Sequence, residues 1–346
     1  MKVSVLIITY NHERYIAKAL DGVLMQETDF EYEIVIGEDC STDNTRKILT
    51  EYARRYPGRF KLLLHEQNVG GPENFDRTFQ ACSGEYLALL NGDDYWTSPL
   101  KLQKQVDLLD NHPEYAVSFH GAQIRYEDGS CEPARYRDSQ KSISTVEDLL
   151  LDNFIPTSAV MFRACNFRSV PGWISALKMG DWPIHILNAL NGSVCYIDES
   201  MSDYIVHRSG VWSTKDWRDH EPAIIQLFEA LLIHLPCQYS GVVRRILQWR
   251  NFSLSERFEY FGDLDSARKH CVKSILQHLS LLCANIRFHR RADADATDFL
   301  PAYMKSVTSA KLVKTILRLS IEPLLKPYPI LYKSLRTAAR MMNISL

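Results

Sequence analysis

The sequence predicts an α/β protein: a doubly wound, mostly parallel sheet followed by an all-helical region. Short apolar runs of strand length alternate with stretches of helical periodicity from Val3 to Leu90. Those runs are apolar throughout rather than alternating, the pattern of strands buried on both faces. Beyond Lys215 the strand-length runs stop and helical periodicity takes over.

Val3–Thr9 is the first strand, rich in β-branched residues. Glu13–Met25 follows as a helix, with Ile16, Ala17, Leu20, Val23 and Leu24 on one face. Tyr32–Gly37 is a strand, and Ser41-Thr42-Asp43 caps a helix running to about Tyr56. Phe60–His65, Pro72–Cys82 and Tyr86–Leu90 continue the rhythm as strand, helix and strand, and Ser98-Pro99 opens the next helix. From Pro113 the pattern changes: strands at Tyr115–Phe119 and Ala122–Tyr126 flank His120, with an Asp128-Gly129 turn after them. A helix at Ile143–Leu151, a strand at Ser158–Phe162, a helix at Met179–Asn191 and closing strands at Val194–Ile197 and Met201–Val206 complete this part. Pro222–Leu235, Val242–Arg250, Ser253–Phe261 and Asp265–Leu282 read as helices. The expected organisation is a domain over 1–216, a helical extension over 217–300 and basic amphipathic helices over 301–346.

Composition bounds the function. A chain of 346 residues with 46% hydrophobic and 24% charged residues has ample core. The formal net charge of −2 gives no electrostatic footprint for nucleic acid, and no apolar run is long enough to span a bilayer. MKVSVLIITY lacks a small-residue cleavage site and runs into Asn11-His12-Glu13-Arg14, so it reads as a core strand rather than a leader. Eight cysteines without a CxxC pair point to reduced thiols and a cytoplasmic protein. Lys305–Leu346 sets eight Lys and Arg residues against Glu322 alone, interleaved with aliphatic residues. That pattern fits either peripheral contact with an anionic membrane face or an ordinary helix pair with a solvated basic side. Self-association is left open.

Polar residues collect where the predicted strands end. The first strand ends at Thr9-Tyr10-Asn11, the second at Glu38-Asp39, the third leads to Asn68-Val69-Gly70-Gly71, and the fourth to Asn91-Gly92-Asp93-Asp94. In an open parallel sheet, ligands bind outside the carboxyl ends of the strands, so this convergence marks a cleft. Asp93-Asp94 alone reads as a helix-capping turn. With the other strand ends beside it, it becomes a carboxylate station for a hard divalent cation, Mn²⁺ or Mg²⁺.

VSVLIITYNHERYIAKALDGVLMQ, IGEDCSTDNT, NVGGPENFDRTFQACSGEYLALLNGDDYW and Pro99-Leu100-Lys101-Leu102 resemble a family 2 glycosyltransferase of GT-A fold over about residues 3–215. The resemblance implies an inverting, metal-dependent transferase using a nucleotide-sugar, usually a UDP-sugar. It implies that Thr9, Tyr10, Asn11 and Glu13 line the nucleotide site with Asn68, and that Asp39 contacts base or ribose. The DxD-type motif falls on Asn91-Gly92-Asp93, giving Asp93 the metal and Asp94 a supporting or sugar contact. Asn91 replaces the usual first acid. Gly180-Asp181-Trp182 matches the context of the catalytic base, so Asp181 would deprotonate the acceptor hydroxyl; capping of the following helix is its other reading. His207-Arg208, followed by Gly210-Val211-Trp212-Ser213, resembles the segment that closes over the diphosphate, with His207 on metal or phosphate and Arg208 on phosphate. A structural loop histidine is the other reading of His207.

His120 is either a core histidine or a group reaching the donor or acceptor, and Trp96 and Trp182 either stack on sugar or pack. The acceptor site is expected within Gln123–Ser158 and the helical region, for a saccharide or lipid-linked acceptor in polysaccharide or glycoconjugate assembly, by hexosyl or N-acetylhexosaminyl transfer. A nucleotidyltransferase would carry a Gly-rich basic loop after the first strand, where Thr-Tyr-Asn-His-Glu stands, and no GxGxxG favours a dinucleotide fold. A non-catalytic nucleotide-sugar-binding scaffold is the alternative from another class.

Overall fold

The computed structural model describes residues 1–166, 169–210 and 216–288. The chain divides into two compact units, Met1–Lys215 and Asp216–Leu346. In the first unit β1 (Val3–Thr9), α1 (Ile16–Leu24), β2 (Tyr32–Glu38), α2 (Thr45–Arg55), β3 (Phe60–Leu64), α3 (Gly71–Gln80) and β4 (Tyr86–Asn91) alternate without a break. There follow β5 (Tyr95–Trp96), α4 (Lys101–Asn111), β6 (Tyr115–Tyr126), β7 (Ala134–Arg135), β8 (Ile143–Ser144) and α5 (Val146–Leu151). A 3₁₀ turn (Thr157–Ala159), β9 (Met161–Arg163), α6 (Gly172–Ser175), α7 (Asp181–Ala189) and β10 (Ser193–Val206) close the unit.

One sheet holds all the strands, in the order β3-β2-β1-β4-β9-β6-β10-β5, with β7 on β6 and β8 on β10. β1 to β4 run parallel; β9 is antiparallel to β4 and β6, and β5 to β10. Val5, Ile7, Ile34, Ile36, Ala88 and Leu90 point to a core closed by Ile16, Leu20 and Val23 of α1 and Leu102, Val106 and Leu109 of α4. Leu6, Val35, Leu87 and Leu89 are equally buried, which is why these strands carry no polar alternation. α3 comes so close to β2 that a Cβ on Gly37 would lie 2.0 Å from Thr78 Oγ1 and 2.2 Å from Asn74 Oδ1.

Two expected strand pairs are single strands. β6 runs unbroken through His120, which is fully buried, and β10 crosses Asp198-Glu199 by register shifts between Ile197 and Ser202. Polar residues inside a strand mimicked turns. A bulge absorbs them without ending the ladder.

The second unit begins with α8 (Trp217–His234), whose N-cap Asp216 accepts from the Arg218 amide at 2.6 Å. α9 (Ser240–Tyr260) is one helix where two were expected, because Asn251 donates its amide to the Leu247 carbonyl at 2.9 Å and stays in the helix. Gly262, at φ 82°, turns the chain into α10 (Leu264–Phe288). Among the described residues no helix is long and apolar enough to cross a membrane. The basic segment from Lys305 onward and residues 211–215 lie outside the described residues.

Candidate active site

The strand ends meet as expected, and two of them are strained. Asn11 and Cys40, immediately past β1 and β2, hold φ of 56° and 57°, a left-handed conformation costly for residues with a Cβ. Asn11 Oδ1 accepts from the Thr42 amide at 2.8 Å, and Glu13 Oε2 accepts from the Asn44 amide at 2.9 Å and its side chain at 2.7 Å. These residues therefore tie the loop after β1 to the entry of α2. Asp39 is 2% exposed, and its two oxygens accept from the amides of Val69 at 2.7 Å and Gly70 at 3.0 Å. It braces the loop carrying the exposed Asn68. Tyr10 is 40% exposed. An open polar cavity of about 570 Å³ lies against the same loop, lined by His65, Glu66, Gln67, Val69 and Arg77.

Asp93 occupies the turn after β4, where three aromatic side chains gather round it. His207 Nε2 is 3.1 Å from Asp93 Oδ2, and His12 Nε2 is 3.7 Å from the same oxygen. The Tyr15 ring lies 4.6 Å from that of His207. A carboxylate cannot donate, so the proton of the short contact sits on His207 Nε2. Burial pushes the Asp93 carboxyl up, yet the hydrogen bond from His207 and the charge of His12 hold it below its ordinary range. Burial lowers the His12 imidazole against the pull of Asp93. Gly92 makes the crowding feasible: a Cβ there would lie 2.6 Å from Thr9 Oγ1 and 2.8 Å from His12 Nδ1.

Asp94 has different partners from that cluster. It is 2% exposed, and its Oδ1 accepts from the Ile205 amide at 2.9 Å while Oδ2 is buried without a partner. Burial and the nearby Asp93 raise its carboxyl well above the usual range. Asp94 thus forms a strut from the β4 turn to β10. The strut continues: Tyr95 donates to Asp203 at 2.7 Å, Trp96 Nε1 to the Ser158 carbonyl at 2.8 Å, and Ser158 Oγ to Ser202 Oγ at 3.1 Å. Next to Ser158, Thr157 Oγ1 donates to Asp181 Oδ2 at 3.3 Å. The strand after the Asp93 turn is thus joined to the start of α7 by hydrogen bonds at Trp96–Ser158 and Thr157–Asp181, with the backbone between neighbours completing the link.

Asp181 opens α7 and is only partly buried, its Oδ1 accepting from the Trp182 amide at 2.8 Å. One turn on, His185 is fully buried, and burial lowers its imidazole to about 4. The Tyr136 and Tyr204 phenols both lie within electrostatic reach of Asp181 and Asp94.

Burial decides between readings left open above. Trp96 and Trp182 are 2% and 4% exposed, with indole N–H groups committed to Ser158 and Leu149 carbonyls, so both pack rather than stack on sugar. His120 is a core histidine: Nδ1 meets the Gly121 carbonyl at 2.8 Å and burial lowers the imidazole to about 3. Arg208 is exposed on the rim, its charge felt by Asp128. Val211-Trp212-Ser213 lie outside the described residues. His12 and Tyr15 stand inside the first quoted motif, and only the fold reveals that they turn toward Asp93.

Among the described residues no three His, Cys, Asp or Glu side chains form a ready cation cage. The Asp93–His207 pair nonetheless suits a divalent cation that completes its shell with substrate oxygens. Ser209 Oγ, 2.9 Å from His207 Nδ1, can accept a hydrogen bond from Nδ1–H, and in that tautomer Nε2 is free as a ligand.

Residues 4–167 match the family model described as glycosyl transferase family 2. The chain is 38% identical over 255 residues to the uncharacterized protein Rv1520 of Mycobacterium tuberculosis, covering 71% of this chain and 73% of that one. It is 31% identical over 214 residues to the uncharacterized glycosyltransferase alr2836 of Nostoc sp., over 60% of this chain and 65% of that one. A solved structure of Staphylococcus aureus TarS in complex with UDP-GlcNAc superposes with a TM-score of 0.61 at 19% identity, over 99% of this chain and 92% of that one. The chain belongs to glycosyl transferase family 2. Its sheet is the GT-A fold, and the protein is a transferase of the glycosyltransferase type.

Proposed function

We propose that this protein transfers a sugar, with inversion, from a UDP-sugar to a saccharide or lipid-linked acceptor in polysaccharide or glycoconjugate assembly. The observation that carries the reading is the pairing of Asp93 with His207, in a turn whose strand is tied through Trp96 to Ser158 beside Thr157, the partner of Asp181. Two partly buried acidic stations, one beside imidazoles after β4 and one opening α7, suit a diphosphate leaving group and an acceptor hydroxyl. The UDP-GlcNAc held by the TarS fold neighbour supports uridine as the base.

Asp93 and His207 would hold Mn²⁺ or Mg²⁺, which when bound supplies Lewis-acid stabilisation of the departing diphosphate. Asp181 takes the proton of the acceptor hydroxyl as its oxygen attacks the anomeric carbon from the face opposite the leaving group, which inverts that centre. The Thr157 hydroxyl orients the carboxylate by holding Oδ2. Tyr10, Asn11, Glu13, Asp39 and Asn68 shape the nucleoside pocket, Asp39 and Glu13 by bracing its loops. Asn91 and Gly92 close the turn beneath the diphosphate, Asp94 fixes it to β10, and Arg208 stands on the rim to meet phosphate. In this reading the enzyme works at the cytoplasmic side, with the basic carboxyl-terminal segment at the inner membrane face.

A thermal-shift panel of UDP-sugars, with and without Mn²⁺, followed by UDP release, tests the reading. A rise in melting temperature that needs both nucleotide and cation supports it. Stabilisation without turnover on any donor and acceptor would favour a nucleotide-sugar-binding scaffold instead.

A further inference from the structure

Between the two acidic stations the cleft carries a feature that donor chemistry does not use. Tyr204 lies on β10 and Tyr136 just past β7, and their rings meet edge to face at 6.1 Å and 79°. Tyr136 is pinned by its amide to the Ala122 carbonyl at 2.9 Å, and Tyr204 sits in register with Ile124 of the same strand β6. Both side chains are half-buried, so each ring keeps an accessible part.

The surroundings are acidic. Tyr204 senses Asp93, Asp94 and Asp181, and Tyr136 senses Asp181, Asp94 and Asp152. The cation that Tyr136 senses, Arg137, is paired with Asp152 at 2.5 Å. Burial and these carboxylates raise both phenols, so each hydroxyl stays protonated and able to donate.

We infer that Tyr136 and Tyr204 form the acceptor platform, and that the acceptor end it takes is a neutral pyranose ring rather than a phosphate-bearing polyol. An aromatic face suits the apolar C–H face of a pyranose, while phenol hydroxyls bond its equatorial oxygens. With Arg137 already paired to Asp152, the Asp181 carboxylate disfavours a polyanion approaching the same spot. The inference rests on Asp181 as the acceptor-side base, since Tyr136 and Tyr204 lie within electrostatic reach of that residue.

Saturation-transfer NMR on the full chain with UDP and Mn²⁺ tests it, using methyl glucopyranoside, methyl galactopyranoside and methyl N-acetylglucosaminide against glycerol 3-phosphate. At least one pyranoside should show ring-proton transfer several times stronger than the glycerol phosphate. Tyr204→Ala and Tyr136→Ala should lose it, while Tyr204→Phe should retain the ring contact. Tyr204→Leu is measured beside Tyr204→Ala, and the UDP-induced rise in melting temperature is followed in every variant, to separate loss of fold from loss of the platform. Equal transfer to glycerol phosphate, no transfer to any pyranoside, or transfer indifferent to removal of both rings would overturn the inference. Because these probes report binding without donor turnover, failure to release UDP in the assay above would fall on the proposed reaction and not on the platform.

Discussion

The Nε2 atom of His207 lies 3.1 Å from Oδ2 of Asp93, joining residues that are 114 positions apart in the chain. The contact sets the residue just past β10 against the turn after β4 and brings an imidazole to a carboxylate that is itself beside His12. Replacing His207 by Ala should leave Asp93 with a weaker partner and the cation with one ligand fewer. Turnover should fall about 10–100-fold, the range for losing one group that supports a ligand or a donor. Titrating Mn²⁺ against initial rate should show a matching loss of apparent metal affinity.

Adjacent acids should behave differently. Asp94 is buried, raised well above the carboxylate range by burial and Asp93, and bonded to the Ile205 amide. Asp94→Asn keeps an acceptor for that amide and removes a charge that burial disfavours. Its melting temperature should match or exceed the parent's, whereas Asp94→Leu should cost about 1–3 kcal/mol by orphaning the amide. Paired urea-unfolding curves check this.

Gly92→Ala would bring a Cβ within 2.6 Å of Thr9 Oγ1 and 2.8 Å of His12 Nδ1. His12 must give way, so the substitution should destabilise by about 1–3 kcal/mol and displace the imidazole from Asp93. The imidazole resonances of His12 and His207 in an NMR spectrum report that displacement directly.

Stability should fall on mild acidification. His120 and His185 are fully buried, and burial lowers their imidazoles from 6.5 to about 3 and about 4. Between those values and 6.5 the unfolded chain binds more protons than the folded one. Their contribution is therefore complete above 6.5 and lost as pH falls toward 4, at up to about 1.4 kcal/mol per pH unit for each histidine. Urea midpoints at pH 7, 6 and 5 should decline, and His120→Gln should flatten the slope.

Much of this architecture could be read from residues alone, for identifiable reasons. Strands β1, β2 and β4 are buried on both faces, so their apolar runs stand out, and strand ends follow from where those runs stop. What the runs do not carry is direction. Asp93 and Asp94 look equivalent in sequence, yet after the turn one meets His207 and the other the Ile205 amide of β10. His12 and Tyr15 escaped notice because they become neighbours of Asp93 only when β1 and β4 pair with Ile8 opposite Asn91. The division of β6 and α9 into shorter pieces came from polar residues, His120 and Asn251, whose hydrogen bonds are met inside the element.

The most direct test of the transferase reading is UDP release from a UDP-sugar in the presence of Mn²⁺ and acceptor, comparing the parent with Asp93→Ala and Asp181→Ala. Each variant should retain its fold and release UDP at less than about one hundredth of the parent rate, consistent with losing a metal ligand or a general base. Release at the parent rate by both variants would contradict the roles assigned to Asp93 and Asp181.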